Sequence, residues 1–450
     1  MASLVAGLNS WGFRRHTGQV EHFIVRPNGS LYGTVSAGGA KNSALKLMAA
    51  CLLAEGRHVL SGVPRIADVE TMAEVLAAVG ARVERVADSD TGQPGDLLVD
   101  VPAVLHPEAP YELVEKMRAS VVVLGPLLAR MGRARVSMPG GDDFGHRPID
   151  IHLDALASMG ARFETVHGYV EGIVPGSAPD GSGGRLVGSR IVFEYPSHTA
   201  TDNLLTAAVL AKGTTIIENA AREPEVADLA AFLTSMGANI KGAGTSRIEV
   251  EGVDSLSPAA HKVVPDRVVV ATFLAAAGIA GGDVTVTDAR ADHMDMLLRK
   301  VAEMGVTITQ TPEGLRAESS ARLHSVDVST LPYPGVATDY MPFIVTMLAT
   351  ADGVGIVTEN LFSGRFRYVD ELRRMGADIR TEGHHAVVRG VPHLSAAPVR
   401  APDLRAGAAL ILAGLVAEGE TVVSGALHVD RGYEDLVGKL VSLGADVTRA

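Results

Sequence analysis

The chain has 450 residues, 47% of them hydrophobic and 20% charged, with a formal net charge of −12. That composition is that of a globular protein and excludes disorder as its main state, and the length suits two domains or one large α/β domain better than a single core. The acidic balance argues against generic nucleic-acid binding, which needs Lys and Arg facing phosphates, so an anionic ligand would require cations gathered locally.

In chain order, residues 1–20 read as an extension. Met1 to Gln19 is weakly apolar with Arg14-Arg15 at its far end, the reverse of the charge order of a secretory signal. No stretch reaches the roughly 18 uncharged apolar residues of a membrane span. The single cysteine, Cys51, sits in the apolar run Met48 to Leu53 and has no internal partner for a disulfide, which fits a cytoplasmic protein.

From there one unit recurs six times. An amphipathic helix running into Met-Gly-Ala or a close variant stands at Leu76 to Ala81, Leu156 to Ala161, Leu233 to Ala238, Val301 to Val306, Leu372 to Ala377 and Leu440 to Ala445. Its glycines are roughly 70 to 80 residues apart, a repeat longer than a solenoid's but found the same way. Between the copies, apolar helices end near Gly56, Gly132, Gly213, Gly282, Gly353 and Gly419 and pass into β-branched strands, each glycine suiting the left-handed position that closes a helix. The unit is therefore read as helix, strand, helix, strand. The helices before these glycines, such as Val268 to Ala277 and Ala406 to Val416, are apolar all round and should be buried, while the Met-Gly-Ala helices carry charge on one face and should lie outside.

Charged and polar residues cluster at the N-terminal ends of the buried helices: Lys41-Asn42, Arg118, Asp202-Asn203, Asp266-Arg267, Asp339, and Asp403 with Arg405. Capping accounts for the acids, Asp202, Asp266 and Asp403 in particular. It does not account for Lys41, Arg118, Arg267 and Arg405, because a cation opposes the helix dipole there unless an anion is bound to both. The segment Pro139 to Pro148 reads as a mobile glycine-rich loop carrying Asp142, Asp143 and Arg147, and Arg365, Arg367 and Arg431 stand beside turn glycines. His384-His385 and His293 lack a second ligand cluster at zinc spacing and read as surface histidines. Neither a GxxxxGK[ST] loop nor a GxGxxG after a strand is present, so kinase and dehydrogenase chemistry have no support.

The segments Gly38-Gly39-Ala40-Lys41-Asn42, Gly140 to Pro148, Glu218 to Glu225, Pro265-Asp266-Arg267, Thr338-Asp339, Asp403 to Ala406 and Asp430-Arg431-Gly432-Tyr433 resemble, in order, the UDP-N-acetylglucosamine enolpyruvyl transferases of peptidoglycan synthesis. The resemblance implies an α/β fold of two domains, an inside-out α/β barrel of six units, three per domain. It puts residues 41–264, with the loop 139–148, in one domain and residues 21–40 plus 265–450 in the other. It implies transfer of the carboxyvinyl group of phosphoenolpyruvate to the 3-hydroxyl of UDP-N-acetylglucosamine in the cytoplasm, with no cofactor, no metal, and neither nucleic acid nor membrane as partner.

By the same resemblance Lys41, Arg147, Arg405 and Arg431 bind phosphoenolpyruvate. Asn42 and Asp339 orient the acceptor hydroxyl, with Asp339 as base, and Lys41 and Arg431 also serve the chemistry. Arg118, Arg147, Asp150, Ser197, His198, Thr199 and Arg365 belong to the acceptor side. The sequence departs from the family at four places: Asp142 stands where a reactive cysteine is usual, Ser197-His198-Thr199-Ala200-Thr201 where Ser-Val-Gly-Ala-Thr is usual, Val336-Ala337 where an aromatic and a proline are usual, and Ser363-Gly364 before Arg365 where an acid is common. Asp142 is expected to replace the cysteine as general acid and to confer resistance to thiol-alkylating epoxides such as fosfomycin. Two alternatives remain open at this point: transfer to another uridine nucleotide such as UMP, as in nucleoside-antibiotic pathways, and an inactive nucleotide-binding paralogue.

Overall fold

A computed structural model of the chain describes residues 21–86, 95–138, 140, 149–178 and 184–450. The N-terminal extension and nearly all of the loop 139–148, with Asp142 and Arg147, lie outside the described residues. The fold is α/β. Among the described residues it contains six four-stranded sheets and one pair of two-residue strands.

All six sheets share one topology. In the sheet centred on Gly56–Ser61, strand Ala260–Lys262 runs parallel on one side with His261 opposite Leu60. Strand Leu97–Val101 runs antiparallel on the other with Leu98 opposite Val59, and Arg82–Arg85 pairs antiparallel beyond it. The same parallel, antiparallel, antiparallel order surrounds Arg133–Ser137, Thr214–Glu218, Gly282–Thr287, Val354–Thr358 and Thr421–Ser424. Each unit thus has four strands rather than the two expected. The added ones are the parallel edge strands, such as Glu108–Ala109 and Val328–Ser329, and the inner return arms of the hairpins that follow the outer helices, such as Leu97–Val101.

The two helix series fall where their apolar patterns require. Every residue of Leu404–Gly414 is buried, as are nine of the ten in Lys41–Ala50. By contrast Asp295–Glu303 buries only Leu297 and Val301, one turn apart on a single stripe. The Met-Gly-Ala glycines all have φ between 87° and 109°, which is why glycine recurs at the turn after each outer helix. Of the six glycines expected to cap inner helices, Gly132 does so in left-handed geometry (φ 62°, ψ 4°), whereas Gly56 and Gly282 are the first residues of strands. Their positive φ turns the chain into the strand instead of closing the helix.

Apolar side chains form two clusters, one running from Ala40 to Val263, the other combining Phe23–Ala37 with Val268–Val447. The chain passes between them twice, and the passages are tied together: Ala40 N donates to Val264 O at 2.7 Å and Asp266 N to Gly38 O at 3.0 Å. Only glycine fits at residue 39, where a Cβ would lie 2.0 Å from the Gly62 carbonyl oxygen.

Candidate active site

A cavity of about 1000 Å³ opens between residues of the two clusters, at the upper end of the size range of small-molecule sites. All six inner helices present N-terminal residues to it: Lys41-Asn42, Arg118, Ser197-His198, Arg267, Thr338-Asp339 and Leu404-Arg405, with short 3₁₀ turns Arg118–Val123 and Thr338–Tyr340 leading into two of them. Free N–H groups and the positive ends of the helix dipoles therefore converge on one space. Among the described residues eight Lys and Arg line it against six carboxylates, a local reversal of the chain's acidic balance. The site suits a polyanion.

One wall couples the two clusters through Asp68, a residue that the sequence analysis did not single out. Lys41 Nζ lies 2.5 Å from Asp68 Oδ2, and Arg431 Nε donates to Asp68 Oδ1 at 2.9 Å. Burial raises the Asp68 pKa, but Lys41 and Arg431 outweigh it and hold the carboxyl below its ordinary range. Asp266 works alongside. Its carboxylate caps its own helix through Val268 N and Val269 N, at 2.8 and 3.1 Å, and accepts from Lys41 N at 3.0 Å, joining two helix starts with one side chain.

The opposite wall is organised on Asp339. Arg365 Nη2 donates to its Oδ1 at 3.2 Å and Arg405 Nε to its Oδ2 at 3.4 Å. Burial acts to raise this carboxyl too; Arg405, Arg365 and Lys41 more than offset it, so Asp339 is ionised and keeps 29% of its side chain exposed to the cavity. The Nη1 of Arg405 is buried with no hydrogen-bond partner among the described residues. Such a group is held in reserve for an anion or costs about 1–3 kcal/mol unsatisfied.

The residues expected on the acceptor side come together as a third wall. Asp150, Ser197, His198, Thr199, Arg118, Arg365 and Asn42 all line the cavity. Ser197 is the N-cap of His198–Ala208, accepting from Ala200 N at 3.4 Å. Behind it, His152 Nδ1 is 2.9 Å from Asn203 Nδ2, and its Nε2 is 3.4 Å from Thr199 Oγ1. Burial, followed by Arg118, lowers the His152 pKa to about 4, so the ring is neutral at pH 7.

Several expectations are corrected here. Asp266 and Asp403 are caps, Asp403 accepting from Arg405 N and Ala406 N, but Asp202 is not. Its helix starts four residues earlier, at His198, which leaves Asp202 in the interior 2.8 Å from Lys46 Nζ. Arg267 needs no bound anion, since its Nε and Nη2 donate to Glu225 at 2.9 and 3.2 Å. His293 is buried rather than on the surface, at 9% exposure. Among the described residues no three His, Cys, Asp or Glu side chains gather as a metal site. Cys51 is buried with its thiol pointed at Leu47 O, and desolvation pushes its pKa far up, so it is not a reactive thiol.

This fold is that of the enolpyruvyl (carboxyvinyl) transferases. The chain belongs to the EPSP synthase (3-phosphoshikimate 1-carboxyvinyltransferase) family, whose profile matches residues 25–440. Within that family it groups with the UDP-N-acetylglucosamine 1-carboxyvinyltransferases. It is 48% identical to UDP-N-acetylglucosamine 1-carboxyvinyltransferase 1 of Symbiobacterium thermophilum, with 95% of each chain covered. It is also 48% identical to the enzyme of that name from Myxococcus xanthus, over 96% of this chain and 99% of that one. Among solved structures, the enolpyruvyl transferase NikO from Streptomyces tendae superposes with a TM-score of 0.83 at 26% identity, covering 96% and 99% of the two chains. EPSP synthase from Acinetobacter baumannii gives 0.73 at 18% identity, over 96% and 100%, a likeness of fold alone.

Proposed function

We propose that this protein transfers the enolpyruvyl group of phosphoenolpyruvate to the 3-hydroxyl of UDP-N-acetylglucosamine, releasing phosphate, as a cytoplasmic step of peptidoglycan synthesis. The observation that carries the reading is the juxtaposition, on one cavity, of Lys41, Arg405 and Arg431 with the ionised Asp339. Three cations match the phosphate and carboxylate of phosphoenolpyruvate, and one ionised carboxylate, part-exposed to the cavity, is placed to take a hydroxyl proton. No helix among the described residues is long and apolar enough to cross a membrane.

The chemistry follows from these types. Protonation of C3 of the enol makes C2 an oxocarbenium-like centre, and the acceptor oxygen adds there as its proton passes to Asp339. The tetrahedral ketal then loses phosphate as C3 gives up a proton, restoring the carbon–carbon double bond. General acid and base each contribute about 10²–10⁴-fold, and the cations stabilise the charge that gathers on the departing phosphate. We assign the acid to Asp142 and a further phosphoenolpyruvate contact to Arg147 on the resemblance of the loop sequence. Asn42, Arg118, Asp150, Ser197, His198, Thr199 and Arg365 we assign to the acceptor, and the reaction as written needs no cofactor.

We further infer that the two apolar clusters are the cores of two three-unit domains, residues 41–264 and residues 21–40 with 265–450, each an inside-out α/β barrel. Three four-stranded sheets accompany each cluster, which supports the division. Approach of the two would narrow the cavity and exclude water. A second acceptor, a smaller uridine nucleotide such as UMP, is favoured only by the departure at His198, whose side chain reaches the cavity wall. Phosphate release from phosphoenolpyruvate, measured separately with UDP-N-acetylglucosamine and with UMP, separates the two. Release with UMP alone would replace the first reading by the second, and release with neither would leave the inactive paralogue.

A further inference from the structure

Lys46 has no role in the reaction described so far, yet it is buried at 4% exposure on the cavity wall. Its ammonium group lies 2.8 Å from Asp202 Oδ2 and in short hydrogen-bond contact with His198 Nε2. An ammonium has three donors and no acceptor, so Nε2 of His198 must accept from it. The proton of the neutral imidazole is then confined to Nδ1. Burial, and next the charge of Lys46, lower the His198 pKa well below the ordinary value, in keeping with a neutral ring. Asp202 completes the device as counter-ion: it is 1% exposed, lies one helical turn from His198, and its Oδ1 has no hydrogen-bond partner among the described residues.

Nδ1 of His198 makes no hydrogen bond within the described protein, while the ring keeps 21% of its side-chain surface and lines the cavity. The ring lines the same cavity as Asp339. We propose that Lys46, held by Asp202, locks His198 as the Nδ1–H tautomer, and that this N–H donates to an oxygen of the acceptor nucleotide. Lys46 is a positioning residue and His198 a specificity determinant. The family's usual Val-Gly at residues 198 and 199 offers no side-chain donor there, so this chain reads its acceptor with a contact of its own. The inference rests on the proposed function for the identity of the acceptor, but not for the tautomer.

Two measurements on the full chain test it separately. Ring-¹⁵N-labelled histidine spectra, with the His198 signals assigned by their loss in His198→Phe, should show a neutral ring protonated on Nδ1. In the Lys46→Met/Asp202→Asn double variant, which removes both buried charges together and so spares the fold an unpaired ion, the Nε2–H form should appear. A ring protonated on Nε2 in the native protein, or spectra unchanged in the double variant, would overturn the tautomer lock. Calorimetric titration with UDP-N-acetylglucosamine should show binding weakened about tenfold by His198→Phe, the loss of one hydrogen bond, and restored in large part by His198→Asn, which keeps an N–H near the Nδ1 position. Equal affinity in all three overturns the specificity role. If the native protein binds UMP but not the sugar nucleotide, the acceptor assignment fails while the spectra still decide the role of Lys46.

Discussion

Arg431 and Asp68, 363 positions apart in sequence, are joined by a 2.9 Å hydrogen bond from Nε to Oδ1, and the other oxygen of the same carboxylate holds Lys41. Asp68 therefore occupies, between two cations from different apolar clusters, the electrostatic position that a substrate anion would fill. Replacing it by Asn removes the internal anion that the buried Lys41 and the part-buried Arg431 share. We expect Asp68→Asn to melt lower than the native protein without ligand and to gain more in Tm from saturating inorganic phosphate, because the ligand restores the missing charge. Differential scanning fluorimetry over a phosphate series checks this; equal increments in the two proteins would remove Asp68 from the anion site.

Asp339 is ionised beneath Arg365 and Arg405 yet still reaches the cavity. Asp339→Asn preserves its shape and removes its basicity, so kcat should fall by roughly 10²–10⁴-fold with the circular dichroism spectrum unchanged. A variant retaining more than a tenth of the native kcat would dismiss Asp339 as the base.

Glu225 and Arg267 form a buried pair, at 2% and 8% exposure. Burial raises the Glu225 pKa, and Arg267 more than reverses this, bringing it down to about 2 from an ordinary 4.5. A carboxyl whose folded pKa is depressed contributes stability that is present above about 4.5 and lost as pH falls toward about 2. Glu225→Gln should accordingly cost about 3–5 kcal/mol at pH 7, mostly through the uncompensated guanidinium, and flatten the fall in stability below pH 4.5. Urea unfolding at a series of pH values reads both effects.

Cys51 is buried, and the loop position where the family's reactive thiol usually stands is Asp142. The native protein should therefore take up no fosfomycin adduct by intact mass and keep its phosphate-release rate in the drug's presence. Asp142→Cys should acquire one adduct and lose that rate. An adduct on the native folded protein would contradict the assignment.

The repeat was legible in sequence because it rests on backbone geometry that few residues tolerate: Gly80, Gly160, Gly237, Gly305, Gly376 and Gly444 all have positive φ. Most of the parallel edge strands were not, since pieces of two or three residues such as Glu108–Ala109 and Arg190–Val192 are too short to show alternation. In the site, Lys41 and Arg405 were visible as cations where the helix dipole favours the opposite sign, and Asp339 was visible through the resemblance. Asp68 was hidden because an acid in the first turn of Ala67–Ala78 has an ordinary local explanation, and its partners lie in distant segments. Lys46 was hidden within an apolar run. Asp202 was misread as a cap because the helix extends a turn further toward the N-terminus, capped by Ser197.

The central claim is the transfer itself, and mass spectrometry of the nucleotide product tests it most directly. Incubated with phosphoenolpyruvate and UDP-N-acetylglucosamine, the purified protein should yield the sugar nucleotide with one hydrogen replaced by a carboxyvinyl group, in step with inorganic phosphate. Phosphate without the carboxyvinyl product, or no change in either substrate at enzyme concentrations that saturate the assay, would contradict it.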